Sequence, residues 1–300
     1  MTDAARAIQE QAASSPADIR ASGWVEVLKR SWAESSKDNV NIIAAGVAFY
    51  AFLAFVPLLA AMMLTYGLVA EPSSVVRHMQ ALTGMMPADA AQLIGQQLMS
   101  MSQTAQGQKG FGLILALLLA IYGAMRGSSS IITALNVVYN VEEDRGFIRS
   151  TLLALALTLG ALVALLVAIL AVSSLGYIEA LLPSAAPWLH ALLRILFWVA
   201  AAAVISTLVA MIYRYAPNRP NPKWRWLTPG SLAATFLWVV ATLGFGFYVA
   251  NFGNYNATYG SLGAVIVFLT WLYLTAYILL MGGELNAELE KQTSCNTLAP

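Results

Sequence analysis

Apolar residues run through this chain in long blocks, and the blocks define its elements. Residues 39–70, 150–178, 195–213 and 226–283 contain no Asp, Glu, Lys or Arg, and 110–141 contains one, Arg126. A charge in hydrocarbon is costly, so a span stays nearly charge-free over roughly 20 residues. The block 226–283 is long enough for two such helices. The pattern predicts an all-α integral membrane protein. Six transmembrane helices are expected, at about 40–68, 110–137, 150–175, 187–213, 229–250 and 260–284, within a domain covering 39–290. Helices are expected because a helix satisfies its own backbone in lipid. Runs such as Thr151–Val172 lack the alternation that a barrel strand needs.

The segments between the blocks differ in character. Residues 1–38 are polar, so no cleavable signal peptide is expected and the first span directs insertion. Within them, Trp24, Leu28 and Trp32 fall on one helical face, with Lys29, Arg30 and Lys37 elsewhere. That spacing predicts an amphipathic N-terminal helix over 23–37 on the membrane surface. Residues 71–108 predict a helical extracytoplasmic connection between spans 1 and 2, with short helices at about 73–84 and 88–103 split by Pro87. The segment 214–229 holds Pro217, Pro220, Pro222 and Pro229 and reads as a stiff basic turn. Residues 291–300 form a tail.

Composition agrees with the blocks, and charge orients them. Hydrophobic residues make up 59% and charged residues 10%, where a soluble domain carries about 25% charge. Twelve of the sixteen Lys and Arg lie before span 1, between spans 2 and 3, between spans 4 and 5, or after span 6. The positive-inside rule then puts both termini in the cytoplasm, which requires an even number of spans. A net charge of +1 argues against nucleic acid as a partner. The single Cys295 excludes an intrachain disulfide and a cysteine metal cluster. Neither a zinc-protease helix motif, nor a hydrolase nucleophile elbow, nor a phosphate-binding loop ending in Lys-Ser or Lys-Thr is present. The chain is therefore expected not to be an enzyme and to use no cofactor and no metal.

Arg126 interrupts an otherwise charge-free span and is the first candidate for function. Helical spacing aligns it with Tyr122, Ser129, Ser130, Thr133 and Asn136. The stripe has two readings. One is the wall of a hydrated cavity that binds an anion such as a lipid phosphate. The other is a structural Arg with a partner, for which Glu284 after Gly282-Gly283 is the candidate. Glu288 and Glu290 are expected to be solvated ends. Arg194 is either a snorkelling residue or a second phosphate contact. Pro57 is expected to kink span 1. Gly123 and Gly127 bracket Arg126 and suit close helix packing. Trp271, Tyr273 and Tyr277 read as packing or interface residues.

Several motifs in order resemble the YihY/BrkB family of bacterial inner-membrane proteins. They are Ala44-Ala45-Gly46-Val47-Ala48-Phe49-Tyr50 through Pro57, Arg126-Gly127 through Asn136, and Tyr213-Arg214-Tyr215-Ala216-Pro217-Asn218-Arg219. Pro229-Gly230, Tyr259-Gly260-Ser261-Leu262-Gly263, Trp271-Leu272-Tyr273 and Gly282-Gly283-Glu284-Leu285-Asn286-Ala287-Glu288 follow. The resemblance covers about 24–290 and implies a multi-pass inner-membrane protein with six helices and cytoplasmic termini. Relatives are linked to virulence, to lipid export and, by label, to ribonuclease activity. With the Arg126 stripe, the first expectation is a transporter or flippase-like protein for an anionic lipid or amphiphile. The alternative is a scaffolding membrane protein without transport. A membrane-bound ribonuclease is not expected, because a metal nuclease needs clustered carboxylate or His ligands. Membrane lipids are the expected partners, and a homo-oligomer is compatible with the sequence.

Overall fold

The computed structural model describes Pro16, Ile19 and residues 21–67, 111–181, 187–219, 224–252 and 262–291. All regular secondary structure among the described residues beyond Ile19 is α-helix. The helices are α1 (Ala21–Lys37), α2 (Val40–Gly67), α3 (Phe111–Val138), α4 (Phe147–Leu181), α5 (Pro187–Tyr215), α6 (Trp224–Phe252) and α7 (Leu262–Lys291). They fall on the predicted amphipathic helix and the six long helices predicted from the five apolar blocks. The expected short helices within 71–108 lie outside the described residues. Among the described residues, three segments are long and apolar enough to cross a membrane: Trp188–Tyr215, Thr228–Asn251 and Leu262–Lys291. A fourth is counted if α1 and the start of α2 form one broken span, bent by 67°.

A single residue makes that bend. Asn39 adopts a left-handed conformation at φ 53°, which Asn tolerates better than most residues. Its N–H closes the end of α1 on the Ser36 carbonyl, and its own carbonyl accepts from Ile42 and Ile43 at the start of α2. Asn140 does the same work after α3. At φ 52° it forms a Schellman end, with Asn140 N–H on Val137 O and Val141 N–H on Asn136 O, both at 2.9 Å.

α2, α3, α4, α5, α6 and α7 pack in a closed order, each on the next and α7 back on α2. α7 also touches α3 and carries α1 across its C-terminal half. The bundle is not packed evenly. Its buried cluster gathers at one end, around Val40, Ala44, Leu135, Tyr139, Tyr213 and Leu280. Elsewhere large apolar side chains such as Leu196, Trp198, Phe236, Leu243 and Phe247 are exposed, as on a surface made for lipid.

α6 and α7 meet backbone to backbone. A Cβ on Gly230 would sit within van der Waals overlap of the Gly282 carbonyl, and one on Gly282 would overlap Ala234 Cβ at 2.8 Å. Small residues are what permit such contact between helices in lipid. Pro229 lies inside α6 rather than before it, so the helix starts at Trp224 and not at 229. The Gly230 N–H is taken by Asn286 Oδ1 of α7 at 2.8 Å. α2 is helical on both sides of Pro57, and the side chain of Pro57 lies outside the described residues. The predicted packing aromatics do pack. Trp271 stacks on Phe268 and meets Trp238 edge-on, each at 6.2 Å between centroids, and Tyr273 stacks on Tyr277 at 6.1 Å.

Candidate functional site

α3 is held from two sides, and the Arg126 stripe lies on the third. Gly127 rests on Ala54 Cβ and the backbone of Tyr50 and Ala51 in α2. Ser128 Oγ and Thr158 Oγ1 of α4 are 2.9 Å apart. At about 100° per residue, Arg126 lies about 100° around the helix from Gly127 and about 160° from Ser128. It is exposed there, beside Tyr122 of its own helix and near Tyr50 of α2. Its Nε and Nη2 donate to the Tyr122 hydroxyl at 3.0 and 2.6 Å, and its guanidinium carbon stands 5.1 Å from the centre of that ring. A guanidinium has five N–H donors, so with two on Tyr122 three remain.

The rest of the predicted stripe divides. Ser130 Oγ donates to Gly127 O at 2.7 Å, and Thr133 Oγ1 donates to Ser129 O at 3.1 Å. These two hydroxyl protons are committed to the helix backbone. Ser129 is part-buried beside them. Asn136 does not line the stripe. It is buried, its Nδ2 donates to Glu143 Oε2 at 2.8 Å, and its Oδ1 accepts from the Asn218 N–H at 2.8 Å.

The expected Arg126–Glu284 pair does not form. Gly283, the neighbour of Glu284, faces Leu135 and Val138 of α3. Those residues are nine and twelve positions beyond Arg126, about 14–18 Å along the helix at about 1.5 Å per residue. That is beyond the reach of an arginine side chain. Among the described residues no carboxylate lies within ion-pair distance of Arg126. Arg194 is exposed on α5, which packs on α4 and α6.

The acids after Glu284 are also not solvated ends: Glu288 and Glu290 are 3% and 1% exposed. Glu290 receives both 3.0 Å bonds from Arg219 Nη1, and this pair is fully enclosed. Arg219 also donates to Tyr213 O at 2.9 Å and lies 3.8 Å over the Tyr139 ring. Burial pushes the Tyr139 phenol well above its usual range. Beside it, Arg145 Nε bonds Glu143 Oε1 at 2.6 Å, and Arg145 Nη2 reaches the Ala216 carbonyl at 2.8 Å. The Arg145 bonds, opposed by burial and joined by Asn136, hold Glu143 below the usual carboxylate range. This polar base fastens the ends of α3, α5 and α7 and the turn 216–219. Sequence spacing could not reveal it, since Arg219 and Glu290 are 71 residues apart. Among the described residues, no three His, Cys, Asp or Glu side chains are grouped to hold a metal ion.

A helical bundle with an apolar exterior and a charged, hydrogen-bonded base defines an integral membrane protein. The chain belongs to the family described as Virulence factor BrkB, whose profile matches residues 31–298. It is 33% identical over 193 residues to a putative ribonuclease-like protein, YfkH, of Bacillus subtilis, covering 63% of this chain and 70% of that one. It is 28% identical to a UPF0761 membrane protein of Paraburkholderia xenovorans, over 85% of this chain and 58% of the relative. A UPF0761 membrane protein of Alkalilimnicola ehrlichii is 32% identical over 82% of this chain and 54% of its own. The chain thus spans little more than half the length of these UPF0761 relatives. No solved structure matches it. The relatives and the apolar helices make it a bacterial membrane protein.

Proposed function

We propose that this chain is a non-enzymatic inner-membrane protein that moves an anionic lipid or amphiphile across the bilayer, with Arg126 holding the headgroup. The observation that carries this reading is the exposed guanidinium on the apolar body of α3, held by Tyr122 with three donors unspent. An arginine within a membrane span is costly unless it meets an anion, water or a partner. A phosphate on a lipid presents the anion there while its acyl chains stay in the bilayer. The Tyr122 hydroxyl keeps its own proton and adds a fourth donor.

The reading includes six spans, both termini in the cytoplasm and the polar base at the cytoplasmic face. Helices α2 to α7 are 28 to 35 residues long, at least about 42 Å, against a hydrocarbon core of about 30 Å. The positive-inside count supports the orientation.

The test is reconstitution of the whole chain in phosphatidylcholine vesicles with tail-labelled phosphatidylglycerol as the probe. Label should cross faster than in empty vesicles, at least about tenfold slower in Arg126→Ala, and in part in Arg126→Lys, which keeps the charge and loses the planar fork. No crossing above empty vesicles, with or without an ion gradient, sinks the reading. Reduced abundance of Arg126→Ala with unchanged crossing per molecule favours the scaffold instead.

A further inference from the structure

A furrow runs between α2 and α3 from Arg126 to the polar base. A Cβ on Gly127 would lie 3.8 Å from the Tyr50 carbonyl and 3.9 Å from Ala51 Cα, so Tyr50 and Arg126 stand at about the same height. The start of α2 and the end of α3 meet in the buried cluster, through Val40, Leu135 and Val138, so the two helices are antiparallel. Steps of three and four residues keep to one helix face. On α3 they lead from Arg126 through Ser130 and Thr133 to Val137, and on α2 from Tyr50 through Gly46 to Ile43. Each of these residues is exposed or part-buried. Both lines end on the two exposed left-handed residues, Asn140 and Asn39.

This strip differs from the rest of the exterior, where Leu152, Leu159, Phe236 and Leu243 are exposed. Ser130 and Thr133 give their protons to the backbone, and their oxygens keep lone pairs that can accept from water or from a headgroup hydroxyl. A Cβ built on Gly46 meets nothing within 4 Å, so packing does not require a glycine there. Its bare backbone leaves the furrow open. From Arg126 to Val138 is twelve positions, about 18 Å at about 1.5 Å per residue, enough to cross one half of a hydrocarbon core about 30 Å thick. We propose that this furrow is the path of the anionic headgroup between Arg126 and the polar-base surface, held open by Gly46. The phosphate meets Arg126, hydroxyls or water on the headgroup meet Ser130 and Thr133, and the acyl chains stay in lipid. The path rests on the transport reading above and adds its route.

The test uses the whole chain in phosphatidylcholine vesicles with tail-labelled phosphatidylglycerol. Gly46→Leu should unfold at the wild-type temperature or above, because its side chain enters open space and glycine is a poor helix former. It should nevertheless move label at least about tenfold more slowly. Gly244→Leu on α6, where a Cβ also meets nothing within 4 Å, should move label at the wild-type rate. If Gly46→Leu does not fold, Thr133→Leu carries the same comparison from the exposed face of α3. A second readout needs no transport. Gly230 and Leu135 both meet the Gly282–Gly283 pair, so Thr133 and the exposed Leu232 of α6 lie at similar heights. In a Cys295→Ser background, Thr133→Cys should react with a charged, water-soluble methanethiosulfonate at least about tenfold faster than Leu232→Cys. Equal reactivity, or a Gly46→Cys disulfide between two copies, overturns the path, since the furrow is then dry or covered by a second chain. Wild-type rates in both Gly46→Leu and Thr133→Leu overturn the path and leave the transport reading standing. A wild type that moves no label sinks the transport reading and the path with it.

Discussion

The Arg219 side chain is enclosed by the Glu290 carboxylate, the Tyr213 carbonyl and the Tyr139 ring. Removing one partner of such a pair strands the other charge in a dry site. Arg219→Ala or Glu290→Ala should each destabilise the protein by about 3–5 kcal/mol, read from thermal unfolding in detergent, whereas the double change to Met and Leu should cost far less. Glu143 gives a pH signature. Arg145 lowers its folded-state pKa below the ordinary 4.5, so its contribution is complete above that value and fades as pH falls through the folded-state value. Acid should therefore loosen the 139–145 turn, and Glu143→Gln should blunt that acid sensitivity in exchange measurements of the turn. At this scale the sequence was legible only where a residue broke a pattern. Arg126 stood out as a lone charge in an apolar block, but its orientation depended on what packs at Gly127 and Ser128. Glu288, Glu290 and Arg219 looked like ordinary flanking charges, because nothing local marks a pair made by distant turns.

The helices themselves were legible almost to their ends, because the bilayer demands long unbroken apolar runs. What could not be read was how two of them approach. Gly230 and Gly282 are unremarkable in composition, yet the α6–α7 crossing depends on both lacking a Cβ. Gly230→Ala and Gly282→Ala should each cost roughly 1–3 kcal/mol or displace α7, detected as a lower unfolding temperature. Gly127→Ala is the control. Its nearest neighbour would be Ala54 Cβ at 3.7 Å, an ordinary contact, so the change should be nearly silent. α1 also refined its prediction. Leu28 and Trp32 are exposed, but Trp24 packs against the Val27 cluster and helps dock the helix on α7.

For the molecule as a whole, the cation count makes a topological prediction that labelling can check. In a Cys295→Ser background, Gln103→Cys should react with a membrane-impermeant maleimide in intact cells, and Ser36→Cys only after the membrane is opened. The reverse pattern would invert the orientation and put the polar base outside. The base also bears on how the protein is made. Glu290, Asn286 and the Leu279 carbonyl receive Arg219, Gly230 and Tyr213, and all three belong to α7, the last described helix to leave the ribosome. On the six-span reading proposed above, the earlier helices enter the bilayer before their buried partners exist. Their polar ends must be sheltered by water or by the insertion machinery until α7 arrives. Final assembly is then a late event in biosynthesis, and a chain halted before Gly282 presents the cell with inserted helices that have nothing to close on, a natural target for membrane proteolysis.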